Sequence, residues 1–132
     1  MNYNKKILVV EDEVPLMNAL NDKLTKEGFT VLQAKNGEEG LDIALIEKPD
    51  LILADILMPK MDGLVMLKKI RESEEGKKIK FIILTNVNSS EKIAEAMDLQ
   101  EVITDGSFEY FIKASIKLED IVKKIKEKLQ IV

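Results

Sequence analysis

The stretch Asp50-Leu51-Ile52-Leu53-Ala54-Asp55-Ile56-Leu57-Met58-Pro59-Lys60-Met61-Asp62-Gly63 decides how the chain folds. Leu51 to Ala54 are consecutive apolar residues that run into an acid, Asp55, and then into a segment broken by Pro59 and Gly63. A short apolar run bounded by turn residues reads as a strand buried on both faces, and such strands belong to parallel sheets covered by helices. Open sheets of this kind bind ligands at the carboxyl ends of their strands. Asp55, placed where the strand ends, is therefore the first candidate for chemistry.

Upstream, Lys5 to Val10 reads as a first strand that ends in Glu11-Asp12-Glu13, so a second strand delivers carboxylates to the same end. Pro15 suits the first turn of a helix, in which Met17, Leu20 and Leu24 recur at the spacing of a buried face; Gly28 ends it. Phe29 to Ala34 reads as a second strand and Asn36-Gly37 as a turn. Glu38 to Glu47 reads as a helix with Leu41, Ala44 and Leu45 inward, stopped by Pro49.

Downstream, Leu64 to Glu74 is predicted as a helix with Leu64, Leu67 and Ile70 inside and Lys68, Lys69 and Arg71 facing water. Phe81 to Leu84 is a fourth apolar strand, ending at Thr85-Asn86. Ser89 or Ser90 can cap a fourth helix with Ile93, Ala94 and Met97 on one side. Leu99 to Phe108 reads equally as a loop or a short extra hairpin. Glu109 to Lys113 is a fifth strand, and Leu118 to Gln130 a last helix with Leu118, Ile121, Val122, Ile125 and Leu129 as its inner stripe. Alternation of strand and helix implies right-handed crossovers and an α/β doubly wound, five-stranded parallel sheet flanked by five helices, with residues 1–132 forming one domain.

Composition narrows the chemistry. The 132 residues contain no cysteine and no histidine, which excludes disulfides, thiolate or imidazole metal sites, cysteine nucleophiles and histidine bases. A net charge of −4 speaks against nucleic-acid binding through a broad positive surface. The apolar run Ile7 to Val10 is too short for a secretory core or a membrane span, so a soluble cytoplasmic protein is expected. The lysines between Lys117 and Lys128 alternate with Glu119, Asp120 and Glu127 and read as a solvated helix face.

On that architecture Glu11, Asp12, Asp55, Thr85 and Lys113 all fall on one rim of the sheet. Crowded carboxylates repel, so one has a raised pKa unless a cation neutralises them. Carboxylates, a carbonyl and waters are the donor set of Mg²⁺. Lys113 and the Thr85 hydroxyl are then expected to lack an anionic partner within the protein and to await an anion from outside. Taken singly, each residue has a blander reading: Glu11-Asp12 as a solvated loop, Thr85 as a strand-end hydroxyl, Lys113 as a snorkelling lysine, Tyr110 as core. Their convergence on one sheet edge reverses those readings.

The motifs Ile7-Leu8-Val9-Val10-Glu11-Asp12, Asp50 to Asp55 with Met58-Pro59 and Met61-Asp62-Gly63, Ile82-Ile83-Leu84-Thr85, and Tyr110-Phe111-Ile112-Lys113 resemble those of response-regulator receiver domains of two-component signalling, of the stand-alone type. The resemblance implies a flavodoxin-like strand order 2-1-3-4-5 and a phosphoryl group accepted on Asp55 from a histidine kinase or phosphotransfer protein. It implies Mg²⁺ held by Asp12, Asp55 and the Leu57 carbonyl, with Glu11 helping through water. It also implies Lys113 and Thr85 on the phosphoryl oxygens, Tyr110 as a switch aromatic, and output to a downstream protein target through the surface of helix 4, strand 5 and helix 5. Such a domain is a phosphoacceptor that assists its own transfer and slow dephosphorylation, not an enzyme acting on a separate substrate, and neither nucleic acid nor membrane is its partner.

Departures from the family pattern carry their own expectations. Ala114 stands where a cis proline is usual, and a cis non-proline bond costs about 2.5–4 kcal/mol, so a trans Lys113-Ala114 bond and an altered loop are predicted. Asn86, after the threonine, is expected to narrow access to Asp55. The longer stretch between Thr85 and Lys113 suggests an adapted docking surface around Gln100 to Ser107. Leu57 and Val87 are apolar where the family flanks the hydrolytic water, which predicts a long-lived phosphoryl-aspartate. Leu57 also argues against an aspartyl phosphohydrolase, which wants an acid there. A binding module that has kept the fold but works without phosphorylation is the remaining alternative.

Overall fold

A computed structural model of the chain describes residues 3–85 and 90–131. The elements are β1 (Lys6–Val10), α1 (Val14–Lys26), β2 (Thr30–Ala34), α2 (Gly37–Glu47), β3 (Leu51–Asp55), α3 (Gly63–Ile70), β4 (Lys80–Thr85), α4 (Ser90–Val102), β5 (Phe108–Ile112) and α5 (Leu118–Lys128). All strand pairs are parallel, and the order across the sheet is β2-β1-β3-β4-β5, as the resemblance implied. β3 lies at the centre, and all its residues are buried, which its apolar run demands.

Two cores form because side chains alternate along each strand. Ile7, Val9, Leu51, Leu53, Ile82 and Leu84 point toward α1 and α5, where Met17, Leu20, Leu24, Ile121, Val122 and Ile125 receive them. Leu8, Val10, Ile52, Ala54, Phe81 and Ile83 point to the other face, against Ala44 of α2, the apolar row of α3 and Ala96 of α4. Gly28, with φ 104°, takes the left-handed turn that ends α1 and returns the chain to β2.

Several expected details differ. In α2 the buried face is Gly37, Gly40 and Ala44; Leu45 is 48% exposed, because it sits about 100° around the helix from Ala44. α3 stops at Ile70 rather than Glu74, since the Ser73 hydroxyl donates to the Ile70 carbonyl (3.1 Å) and accepts from the Gly76 amide (2.9 Å), a local alternative to the helical ladder. Arg71 is half-buried, its guanidinium 3.2 Å from the Ser107 hydroxyl, rather than facing water.

On α4, Ala96 and Leu99 pack into the core and Ile93 is half-buried, while Ala94 and Met97 are exposed. The segment after Leu99 is no hairpin: the helix continues to Val102, and a loop from Ile103 to Ser107 follows. There Asp105 accepts from the Ser107 amide (2.9 Å) and hydroxyl (2.5 Å). Asn86, Val87 and Ser89 lie outside the described residues, and so do the readings placed on them. The Lys113-Ala114 bond is trans, and a short 3₁₀ turn from Lys113 to Ser115 replaces the proline-shaped loop.

Candidate functional site

The carboxyl ends of β1, β3 and β4, with the residue that follows β5, build the site. The Glu11 amide bonds to the Ala34 carbonyl (3.0 Å), so pairing continues one step past Val10 and carries Glu11 into the sheet edge. Asp55 follows Leu51 and Leu53 in the row that faces α1 and α5, but beyond their apolar packing, and it is 3% exposed. The Ile56 amide bonds to the Leu84 carbonyl (3.2 Å), and the Gly63 amide to the Ile56 carbonyl (2.9 Å), so the chain leaving Asp55 is folded back on itself. Gly63 is required for that closure, because a Cβ there would run into the Asp55 carbonyl.

The Lys113 ammonium stands among three acids: 2.9 Å from Asp55 Oδ2, 3.2 Å from Glu11 Oε1 and 3.4 Å from Glu13 Oε1. The expectation that Lys113 lacks an anionic partner is therefore corrected. With its other oxygen Asp55 accepts a hydrogen bond from the Leu57 amide (3.3 Å), and Glu11 accepts one from the Glu13 amide (2.9 Å). Thr85 is fully buried and also makes an interaction within the protein. By strand alternation it follows Phe81 and Ile83 on the α3/α4 side of the sheet, the side on which Tyr110 packs half-buried. Asp55 and Lys113 thus meet on one side of the rim, and Thr85 and Tyr110 share the other.

Burial raises the Glu11 carboxyl pKa; the Glu13 amide and Lys113 pull it back, and the neighbouring charge of Asp55 pushes it up again, leaving it above the ordinary value. Burial alone would depress the Lys113 ammonium, but its bonds and charge interactions with Asp55 and Glu11 outweigh that, and its pKa stands above an ordinary lysine. Both directions reflect the shielding of Glu11, Asp55 and Lys113 from solvent and their mutual charge interactions.

Glu11, Asp12 and Asp55 each offer a carboxylate oxygen, all within 4.8 Å of one another. Hard oxygen donors at that spacing, open to solvent on the Asp12 side, suit Mg²⁺, which keeps several waters and takes one or two carboxylates. The residues fit the cation that receiver domains bind at an acidic pocket. Sequence reading passed over Glu13 as a partner of Lys113 and Lys92 as a partner of Asp62, 2.7 Å away. The acidic run Glu11-Asp12-Glu13 held a signal for the first; nothing in the sequence linked Lys92 to Asp62, which depends on how α4 lies against α3.

Fold and rim together define a doubly wound α/β domain whose ligand edge carries clustered carboxylates held by a lysine. The chain belongs to the response regulator receiver domain family, whose model matches residues 7–126. Over 123 residues it is 37% identical to sporulation initiation phosphotransferase F of Bacillus subtilis, covering 92% of this chain and 93% of that protein. It is 39% identical over 97 residues to the alkaline phosphatase synthesis transcriptional regulatory protein of the same organism, covering 74% of this chain but only 39% of that protein. A CheY-like response regulator receiver domain protein from Methanospirillum hungatei superposes with a TM-score of 0.79 at 29% identity, covering 96% of this chain and 94% of the other. A receiver domain protein from Clostridium thermocellum gives 0.81 at 27% identity, with coverage of 96% and 94%. Receiver domains of two-component systems are phosphoacceptors that interact with histidine kinases or phosphotransfer proteins. No helix among the described residues is long and apolar enough to cross a membrane.

Proposed function

We propose that the chain is a phosphorylation-dependent switch in which Asp55 accepts a phosphoryl group from a partner's phosphohistidine. The observation that carries this reading is the contact of Lys113 Nζ with Asp55 Oδ2 at 2.9 Å, beside the Glu11 and Asp12 carboxylates. An Asp55 oxygen attacks phosphorus, the P–N bond to the donor imidazole breaks, and the electron pair leaves with that nitrogen. Lys113 sits where it can follow the charge onto the phosphoryl oxygens, and the Leu57 amide holds the other Asp55 oxygen in place. Asp12, Asp55 and the Leu57 carbonyl, with Glu11 through water, would hold Mg²⁺, which supplies charge neutralisation for the transferring group. Catalysis in such a site is positioning and electrostatics, with little covalent work for the protein.

Thr85 then closes on the phosphoryl group and leaves space for the Tyr110 ring, which biases the surface formed by α4, β5 and α5 toward a downstream protein. Met97, Val102 and Ile112 are exposed apolar residues on that surface. The resemblance along 93% of a protein named a phosphotransferase supports receipt of the group from a kinase or phosphotransfer protein. Lys113 bonded to both Asp55 and Glu11, with the Asp12 carboxylate beside them, favours this reading over a module that works without phosphorylation.

Incubation with a small phosphodonor and Mg²⁺, followed by mass spectrometry of borohydride-reduced peptides, tests it. Modification at Asp55 that is absent in Asp55→Asn is the expected result. An unmodified wild-type protein, or label elsewhere, refutes it.

A further inference from the structure

Asp62 closes the loop that leaves Asp55, and its carboxylate is engaged on both sides. Oδ1 accepts from the Val65 amide (2.9 Å) and caps α3; Oδ2 lies 2.7 Å from Lys92 Nζ in the first turn of α4. The Gly63 amide holds the Ile56 carbonyl, so a shift of the Asp55–Leu57 backbone reaches Asp62 with little slack. Lys92 also meets Glu95 at 3.5 Å, and Glu95 pairs with Lys68 of α3 at 2.8 Å.

α4 is otherwise thinly seated. Ala96 is its one buried residue among those described, whereas α1, α3 and α5 each bury at least three. The Lys92–Asp62 pair is also unlike the ion pairs on the open surface: its side chains are 29% and 18% exposed, against 53% and 89% for Lys77 and Glu74. A charge-assisted bond in partial burial is stronger than an exposed pair, many of which contribute nothing measurable.

We propose that Lys92 is a positioning residue for the phosphoacceptor loop: through Asp62 it holds that loop and the first turn of α4 together in an arrangement that a phosphoryl group on Asp55 displaces, and it passes that displacement on to α4. The inference rests on Asp55 being the phosphoacceptor. A ligand shifts a two-state balance only by its differential affinity for the two states, and a bond made at 2.7 Å in one state and stretched in the other supplies such a difference. Coupling is reciprocal, so loss of the bond both frees α4 and favours the liganded state.

The experiment titrates beryllofluoride with Mg²⁺ into the wild-type chain, Lys92→Met and Lys92→Arg, reading affinity by backbone NMR and amide exchange across Ile93 to Leu99. In the wild type, binding changes exchange in α4. In Lys92→Met, exchange is already fast without ligand, the change on binding is lost, and the analogue binds about threefold tighter. Lys92→Arg restores both. Unchanged or weaker binding in Lys92→Met, a preserved α4 response, or a wild type that binds without any α4 response overturns the inference. A wild type that does not bind beryllofluoride overturns instead the assignment of Asp55.

Discussion

Lys113 Nζ and Asp55 Oδ2 stand 2.9 Å apart, brought together from 58 residues' separation, with side chains 14% and 3% exposed. The ammonium is a counter-charge of the acidic rim, within 3.4 Å of Glu11, Glu13 and Asp55. Because its pKa is lifted above that of a free lysine, it keeps its proton throughout the neutral range.

Replacing Lys113 by Met is expected to leave Asp55 and Glu11 buried without their cation. Breaking one side of a buried charge cluster costs about 3 kcal/mol, so thermal unfolding at neutral pH should fall measurably. Added Mg²⁺ should restore more stability to the variant than to the wild type, since it supplies the missing positive charge. A variant that melts like wild type in the absence of metal contradicts this.

Glu11 gives the pH dependence its sign. Its folded pKa is raised above 4.5, first by burial, so the folded state holds the proton more tightly than the unfolded one. Ionised Glu11 therefore costs stability above its folded pKa, and this cost is relieved as pH falls through that value. Help to a cation needs the ionised form. Apparent Mg²⁺ affinity, measured by calorimetry across pH, should begin to weaken at a higher pH than it would if Glu11 titrated as an ordinary glutamate. In Glu11→Gln that part of the decline should be missing.

Gly63→Ala tests the closure of the loop onto Asp55. The added Cβ meets the Asp55 carbonyl, a backbone atom that cannot swing aside. Overpacking of this kind costs about 2 kcal/mol, and the site should bind beryllofluoride more weakly as well. Wild-type stability with wild-type binding contradicts the role given to the glycine.

Leu57 is 43% exposed, two residues after Asp55, with its amide on the Asp55 carboxylate. Its apolar side chain cannot orient water, so the phosphoryl-aspartate is expected to be long-lived. Leu57→Gln keeps the backbone and adds a polar group, and it should speed hydrolysis about tenfold, short of the full effect of a positioned acid or base. Decay of labelled protein in Mg²⁺ measures this; wild-type decay within seconds contradicts it.

Much of the fold was legible because the strands are nearly pure apolar runs: Leu51 to Ala54 and Phe81 to Leu84 have no other stable place than the middle of a parallel sheet. The helices flanking the sheet's centre were read less well. Leu45 and Met97 looked like core from spacing alone, but small residues, Gly40 and Ala44 in α2 and Ala96 in α4, mark the true contact faces, where close approach matters more than side-chain bulk. The rim acids and Lys113 were visible because they end strands whose order the alternation implies. The bond from Lys92 to Asp62 was not, because it depends on the pose of α4 against α3, and no periodicity in the chain encodes that pose.

The central claim, that Asp55 is the group through which the domain is switched, is tested most directly by NMR of the full chain with Mg²⁺ and beryllofluoride, comparing wild type with Asp55→Asn. The expected result is saturable binding in the wild type, with shifts at Asp55, Thr85, Tyr110 and Lys113 and through α4, and none of these in Asp55→Asn. Equal responses in the two proteins, or no response in the wild type, would contradict it.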